Sequence, residues 1–207
     1  MSELYRLKDF DETSRAAEVL TDAFADDPLW RKAFEGVYDY HTKFSAFAEA
    51  PLRYSLKYGS VYAPSPNFEG VAAVVPGCHA QMGLWGMLRS RALFTGMKMG
   101  NRVSKRLMPL WKVLGEDRKE IVGGRDFLYL MIIGVAKKYQ GQGHGKKLLN
   151  GIIEESVKRN RLFYLETETV ENVKLYERFG FRVVKEITVP NLDLPMWEMI
   201  REPSEFK

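Results

Sequence analysis

A glycine-rich segment at residues 139–147 contains the residues best suited to binding phosphate groups. Glycines lie at positions 141, 143 and 145, and Lys146 and Lys147 follow them. The segment joins an apolar run, Phe127–Val135, to a stretch with helical spacing of its apolar residues. Glycine lets a backbone turn sharply and approach a ligand closely. The first N–H groups of a helix lack intrahelical acceptors, and its dipole is positive there, so we expect an anion site.

The spacing of this segment excludes two common phosphate-binding motifs. An ATP-binding P-loop needs a glycine where Gln140 stands and a serine or threonine where Lys147 stands. The dinucleotide fingerprint G-x-G-x-x-G, counted from Gly141, would place its last glycine at Lys146.

The elements that must position this loop are predicted from apolar periodicity. After residue 126 the pattern alternates strand, helix, strand, helix, strand, strand, with strands at Phe127–Val135 and at residues 162–166, 181–187 and 196–201. Before it we expect a helix that carries Ala16, Leu20 and Phe24 on one face and Asp11 as its N-cap, then strands at Ser60–Ala63 and residues 71–75. This order predicts an α/β fold: a mixed central sheet flanked by helices.

Residues 81–120 interrupt this pattern with a stretch rich in methionine, lysine and arginine. We interpret it as a helical insertion that precedes the loop-bearing strand and is basic on one face. Three roles stay open: a surface layer packed on the domain, a lid over a substrate pocket, and a helix lying on a membrane surface.

Composition narrows the class of protein. The 207 residues suit a single domain over residues 1–207, with an excess of basic over acidic residues of only +4. That excess suits an anionic ligand but is too small to indicate a nucleic-acid partner. Cys78 is alone, so no disulfide or thiolate metal site is expected, and we predict no metal. The charged N-terminus and the lack of a long apolar run predict a cytoplasmic protein without a membrane partner.

Two motifs together resemble the GNAT N-acetyltransferases. Gln140, Gly143 and Gly145 match the pattern [QR]-x-x-G-x-[GA] of that family's motif A, and residues 172–181, NVKLYERFGF, resemble its motif B. The resemblance covers residues 127–181. It implies a GNAT fold and transfer of an acetyl group from acetyl-CoA to a primary amine.

The resemblance also implies roles for particular residues. The backbone of Ile133, Gly134 and Val135 would pair with pantetheine, and Asn172 would hydrogen-bond to it in addition to being a good N-cap. Tyr176, which matches the tyrosine that faces the CoA sulfur, would be the general acid. The pyrophosphate would bind the N–H groups of the loop and contact some of its side chains, which gives the set Gln140, Gly141, Gln142, Gly143, His144, Gly145 and Lys146.

The general base and the acceptor are less closely defined. Glu166 ends its predicted strand where the site should open, and Glu168 is its rival on the same face, since side chains alternate along a strand. A small-molecule amine is the expected acceptor, with protein N-terminal or lysine acetylation, or a non-catalytic acyl-CoA-binding module, as alternatives. Exposed edge strands near the C-terminus allow a homodimer. Five aromatic residues are candidates to line the acceptor pocket: Trp30, Phe34, Tyr38, Tyr40 and Trp85.

Overall fold

The computed structural model describes residues 3–203. Its helices and strands follow in chain order as β1 (Tyr5–Arg6), α1 (Asp11–Ala23), α2 (Pro28–Ala33), α3 (Tyr40–Tyr58), β2 (Ser60–Ala63), β3 (Gly70–Pro76), α4 (Leu84–Arg89), α5 (Ala92–Met97), α6 (Asn101–Val122), β4 (Phe127–Val135), α7 (His144–Lys158), β5 (Leu162–Thr167), α8 (Val170–Glu177), β6 (Arg182–Thr188) and β7 (Pro195–Arg201).

The strands form one seven-stranded mixed sheet in the order β1-β2-β3-β4-β5-β7-β6. All neighbours are antiparallel except β4 and β5, which are parallel and are connected through α7. Between β3 and β4 the register shifts by one residue near Ala73 and Val74, which is typical of a β-bulge. The predicted α/β class with a mixed central sheet is therefore confirmed.

Helices cover both faces of the sheet. One face packs against α1, α3 and α6, through buried residues that include Leu20, Phe44 and Leu107. The opposite face packs against α7 and α8, where Leu148 and Ile152 contact the apolar side chains of β4 and β5. The sheet is thus buried at the centre, and β4 and β5 lie between the two helical layers.

The insertion forms three helices, α4, α5 and α6, as its predicted helical character requires. The long helix α6 crosses one face of the sheet and buries Val103, Leu107, Leu110 and Leu114 in the core. No helix within residues 3–203 is long and apolar enough to span a membrane.

The start of α1 differs from the sequence prediction. Asp11 is the first helical residue rather than the cap, and the side chain of Asp9 accepts the N–H groups of Asp11 (3.0 Å) and Glu12 (3.1 Å). The N-cap position is Phe10, whose side chain makes no capping hydrogen bond, so Asp9 supplies the acceptor from one residue further upstream.

Candidate functional site

The central feature of the site is the divergence of the two parallel strands. β4 and β5 pair at only three positions, Phe127 with Leu162, Leu128 with Phe163 and Tyr129 with Tyr164. β4 then continues to Val135 and β5 to Thr167 without further pairing. In the described part of the chain, the last residues of β4, which include Ile133 and Gly134, pair with β3 on one edge and with no strand on the other. Their second edge therefore has free backbone groups that can bind an extended ligand as an added strand would.

The glycine loop lies directly beyond this opening. Gly141 and Gly143 have φ values of +73° and +84°, a left-handed conformation that residues with a side chain adopt at a cost. The first α7 hydrogen bond joins the Lys147 N–H to the Gly143 carbonyl at 3.0 Å. The preceding N–H groups, up to that of Lys146, have no intrahelical acceptor and are available to an anion.

The side chains of the loop contribute less than its backbone. The Gln140 amide donates to the Val135 carbonyl at 3.1 Å, and the Gln142 amide donates to the Lys138 carbonyl at 2.9 Å. Both glutamines therefore stabilise the turn. The half-buried ring of His144 packs edge-on against Tyr139, with ring centres 5.7 Å apart.

The two lysines after the loop differ in their surroundings. Lys147 donates to the Pro64 carbonyl at 2.6 Å, which holds it away from the loop, whereas Lys146 is exposed. Only Lys146 is thus free to add charge beside an anion at the start of α7.

Tyr176 lies on α8 at the face of the sheet that α7 and α8 cover. Its ring is buried and packs edge-on against Phe181, with centres 5.7 Å apart. Burial, together with the nearby Glu168 carboxylate, raises the pKa of the Tyr176 hydroxyl. Within the described residues that hydroxyl has no protein hydrogen-bond partner, so it remains protonated and available to donate.

The same helix begins one turn earlier than the N-cap prediction requires. Thr169, not Asn172, is the N-cap, and its hydroxyl accepts the Asn172 N–H at 3.2 Å. The capping prediction for Asn172 is wrong because β5 extends to Thr167 and the chain turns immediately afterwards. The half-buried Asn172 side chain lies in the first turn of α8.

Glu168, the residue directly after β5, lies beside a second carboxyl group. Its neighbour is Asp27, the N-cap of α2, whose Oδ1 accepts the N–H groups of Leu29 (3.0 Å) and Trp30 (3.1 Å). Burial raises the pKa of Glu168 well above its usual value, and hydrogen bonding to the Asp27 carboxylate raises it further. The pair is a proton-accepting site whose basicity exceeds that of an exposed glutamate.

Glu166 has a different environment. Its carboxylate is 2.7 Å from the Arg118 guanidinium of α6, and both side chains are only 9% exposed. The guanidinium also lies over the Tyr129 ring, 4.0 Å from its centre. Because breaking a buried ion pair leaves a charge without a partner, this contact fixes α6 against β5.

A second buried carboxylate continues this cluster on β7. Glu198 is directly opposite Glu166 in the β5–β7 register, and the Tyr164 hydroxyl donates to it. Asp117 of α6 lies next to it and accepts from Lys185 at 2.6 Å. One oxygen each of Glu198 and Asp117 is buried and has no hydrogen-bond partner among residues 3–203.

The residues missed from the sequence are Asp27, Arg118 and Glu198. Glu198 could have been found from the sequence, because it is an acidic residue within the apolar strand sequence Met-Trp-Glu-Met-Ile. For Asp27 the sequence indicated only the end of a helix. No feature of the neighbouring sequence distinguishes Arg118 from the other basic residues of α6.

The predicted aromatic pocket does not form. Trp30, Phe34 and Tyr40 pack around Phe44 in the core, with ring centres 5.4–5.6 Å from it. Tyr38 and Trp85 are 90% and 74% exposed. The helical spacing of these aromatic residues therefore indicated packing in the core and not a ligand-binding pocket.

Divergent parallel strands followed by a glycine loop at a helix N-terminus define an acyl-CoA-dependent acetyltransferase fold, and the comparisons with known proteins agree. The acetyltransferase (GNAT) domain family matches residues 111–183. An uncharacterized N-acetyltransferase of Schizosaccharomyces pombe is 30% identical over 202 residues, which cover 91% of this chain and 79% of the relative. The chain belongs to the GNAT N-acetyltransferase family.

Solved structures share the fold along the whole chain. An acetyltransferase of Corynebacterium glutamicum, related to histone acetyltransferase HPA2, has a TM-score of 0.64 at 21% identity, and covers 100% of this chain and 99% of its own. Arylalkylamine N-acetyltransferase 2 of Aedes aegypti has a TM-score of 0.64 at 16% identity, over 98% of this chain and 100% of its own. The likeness in fold therefore extends over nearly the whole chain.

Proposed function

We propose that this protein transfers the acetyl group of acetyl-CoA to the primary amine of a small molecule. The observation that carries the proposal is the arrangement around the β4–β5 opening. A free strand edge and a helix N-terminus adjoin it, together with a buried tyrosine and a pair of carboxyl groups. These groups match the requirements of acetyl transfer: a site for a phosphorylated carrier, a proton acceptor and a proton donor.

The backbone supplies the proposed binding groups for the carrier. The N–H groups from Gly141 to Lys146 would bind the pyrophosphate, where the helix dipole favours negative charge. The free edge of β4 at Ile133, Gly134 and Val135 would pair with the pantetheine amides, and Asn172 would add a side-chain hydrogen bond. When bound, acetyl-CoA supplies a thioester carbonyl, and a backbone N–H near Val135 would polarise it.

The carboxyl pair would accept the proton that the amine must lose. An ammonium has no lone pair for attack, so its proton must leave before or during formation of the C–N bond. We assign that proton to Glu168, with Asp27 raising its basicity. The earlier candidate, Glu166, would act instead as a positioning residue, because Arg118 already neutralises it.

Tyr176 would protonate the departing thiolate. The C–S bond breaks as the C–N bond forms, and the sulfur takes the hydroxyl proton. A raised pKa keeps that proton on Tyr176 until it is needed. Water on the open side of the site would then reprotonate the phenolate.

The acceptor class follows from charge and from the fold relatives. Asp27 and Glu168 place negative charge at the opening and would attract a cationic amine. Since arylalkylamine N-acetyltransferase 2 of Aedes aegypti has the same fold, we propose arylalkylamines as the first acceptors to test. Protein amines and a non-catalytic acyl-CoA-binding role are the alternatives.

Calorimetric titration with acetyl-CoA, with ATP and NADH as controls, tests the binding half of the proposal. One-site binding of acetyl-CoA alone is expected. Release of free thiol is then measured with an arylalkylamine, an amino sugar, an aliphatic diamine and a peptide with a free N-terminus. Turnover of only the peptide would move the assignment to protein acetylation, and binding without turnover of any amine would leave a non-catalytic module.

A further inference from the structure

Large exposed hydrophobic side chains are concentrated in the insertion. Among residues 3–203, eleven such side chains are exposed, and seven of them lie between positions 84 and 111: Leu84, Trp85, Leu88, Phe94, Met97, Met108 and Trp111. Trp85 and Met97 are 74% and 68% exposed. Such a concentration of exposed apolar side chains in one segment indicates a binding surface.

The helices α4 and α5 are packed with their small residues inward. Both contact α3, and a Cβ added to Gly86 would lie 2.9 Å from the Tyr54 ring. Met87 also packs inward, and the buried residues of the segment are small: Ser90, Ala92, Thr95 and Gly96. The outward positions carry large apolar residues, Leu84, Trp85 and Leu88 on α4, and Phe94 and Met97 on α5. These five large apolar side chains therefore remain exposed within the described chain.

The charge of the same segment has one sign. Residues 84–112 contain seven basic and no acidic residues. Arg102 and Arg106 donate to backbone carbonyls of residues 32–36. The remaining five are exposed: Arg89, Arg91, Lys98, Lys105 and Lys112. The partner must therefore accept large apolar side chains and also carry negative charge.

We propose that α4 and α5, which contact each other, form a surface that binds anionic phospholipid bilayers. Aromatic and aliphatic side chains would enter the interface between headgroups and acyl chains, while the lysines and arginines would contact anionic headgroups. A second copy of the chain could cover the exposed apolar side chains, but it would bring two strongly basic surfaces together. A nucleic acid meets the charge requirement but has no use for Leu84, Trp85, Phe94 and Met97 together.

The test is flotation of the full chain with vesicles of phosphatidylcholine alone and with equal parts of phosphatidylcholine and phosphatidylserine. We expect binding to the anionic vesicles, loss of that binding at high salt, and little binding to phosphatidylcholine. The double variant Trp85→Ser/Phe94→Ser and the charge variant Arg89→Glu/Lys98→Glu should each bind about tenfold more weakly or worse. Val183→Ser, which removes an exposed hydrophobic residue outside the insertion, should bind as the wild type does.

Thermal unfolding confirms that each variant is folded, since all five positions are exposed. Sedimentation without vesicles shows whether the surface pairs with itself. The proposal is overturned if the wild type does not float with anionic vesicles, if the Val183 and Trp85/Phe94 variants bind equally, or if the apolar variant abolishes a dimer and leaves vesicle binding unchanged.

Discussion

At the scale of single residues, the Tyr176 hydroxyl is the group most directly open to test. Its ring is buried against Phe181, so Tyr176→Phe retains the packing and removes only the proton donor. We expect kcat to fall by about 10²-fold or more, the range of general acid catalysis, with little change in the affinity for acetyl-CoA. Steady-state kinetics and calorimetry measure the two quantities. Tyr58→Phe, which removes a tyrosine hydroxyl from α3, is the control, and equal kcat values in both variants would remove Tyr176 from the mechanism.

The Asp27–Glu168 pair predicts a specific pH dependence. Burial and the Asp27 carboxylate raise the pKa of Glu168, so the base is protonated at low pH and kcat/KM should rise with pH. Asp27→Asn removes one cause of the raised pKa while keeping the oxygen that caps α2. The rising limb should therefore move to lower pH, whereas Glu168→Gln should abolish it.

The neighbouring aspartate supplies the control for this shift. Asp26 is exposed and pairs with Arg31 and Lys137, and it is not among the groups that raise the pKa of Glu168. Asp26→Asn makes the same change of charge, and its rising limb should stay where the wild-type limb lies. An identical profile in Asp27→Asn and Asp26→Asn would assign the base elsewhere.

At the scale of elements, Glu198 determines how α6 and β7 fit together. The residue is fully buried, and burial raises its pKa to about 7 from an ordinary value of 4.5. The folded protein therefore holds this proton more tightly than the unfolded chain does, and the resulting stability is lost as the pH rises from about 4.5 to about 7.

A glutamine at position 198 should prevent this loss of stability at higher pH. Its carbonyl oxygen can accept from Tyr164, and its amide can donate to the unpaired oxygen of Asp117. We expect Glu198→Gln to be about 1–3 kcal/mol more stable than the wild type near pH 8, and nearly equal to it near pH 4. Urea unfolding at the two pH values measures both. Glu198→Ala, which pairs with neither neighbour, should be less stable at both, and a pH-independent difference for the glutamine variant would contradict the prediction.

The same elements show what local sequence determines. β2 and β4 have the predicted bounds, because each is an apolar run beside glycine, proline or a turn. The glycine loop was likewise predictable from its local sequence. By contrast, the partner of Glu166 is 48 residues away on α6, and Asp27 meets Glu168 only after the chain folds. Periodicity places a residue on a face, but the pairing of charged residues between elements depends on three-dimensional packing.

At the scale of the whole molecule, the divergence of β4 and β5 leaves the sheet incomplete at its centre. If acetyl-CoA fills the gap as an added strand, ligand binding should stabilise the entire sheet. At a hundredfold excess over Kd the gain is about 2.7 kcal/mol, which for a chain of this size raises Tm by roughly 5–10 °C.

Hydrogen exchange distinguishes this strand-like binding from simple occupation of a surface. Amides at residues 130–135 and in the loop at residues 141–146 should become protected together, because the free edge of β4 and the start of α7 would bind the same molecule. The amides of α4 and α5 should change less than those of the loop, since these helices pack mainly on α3. Protection of the loop alone would mean that the pyrophosphate binds without the added strand. The gap between β4 and β5 would then have to serve the acceptor rather than the carrier.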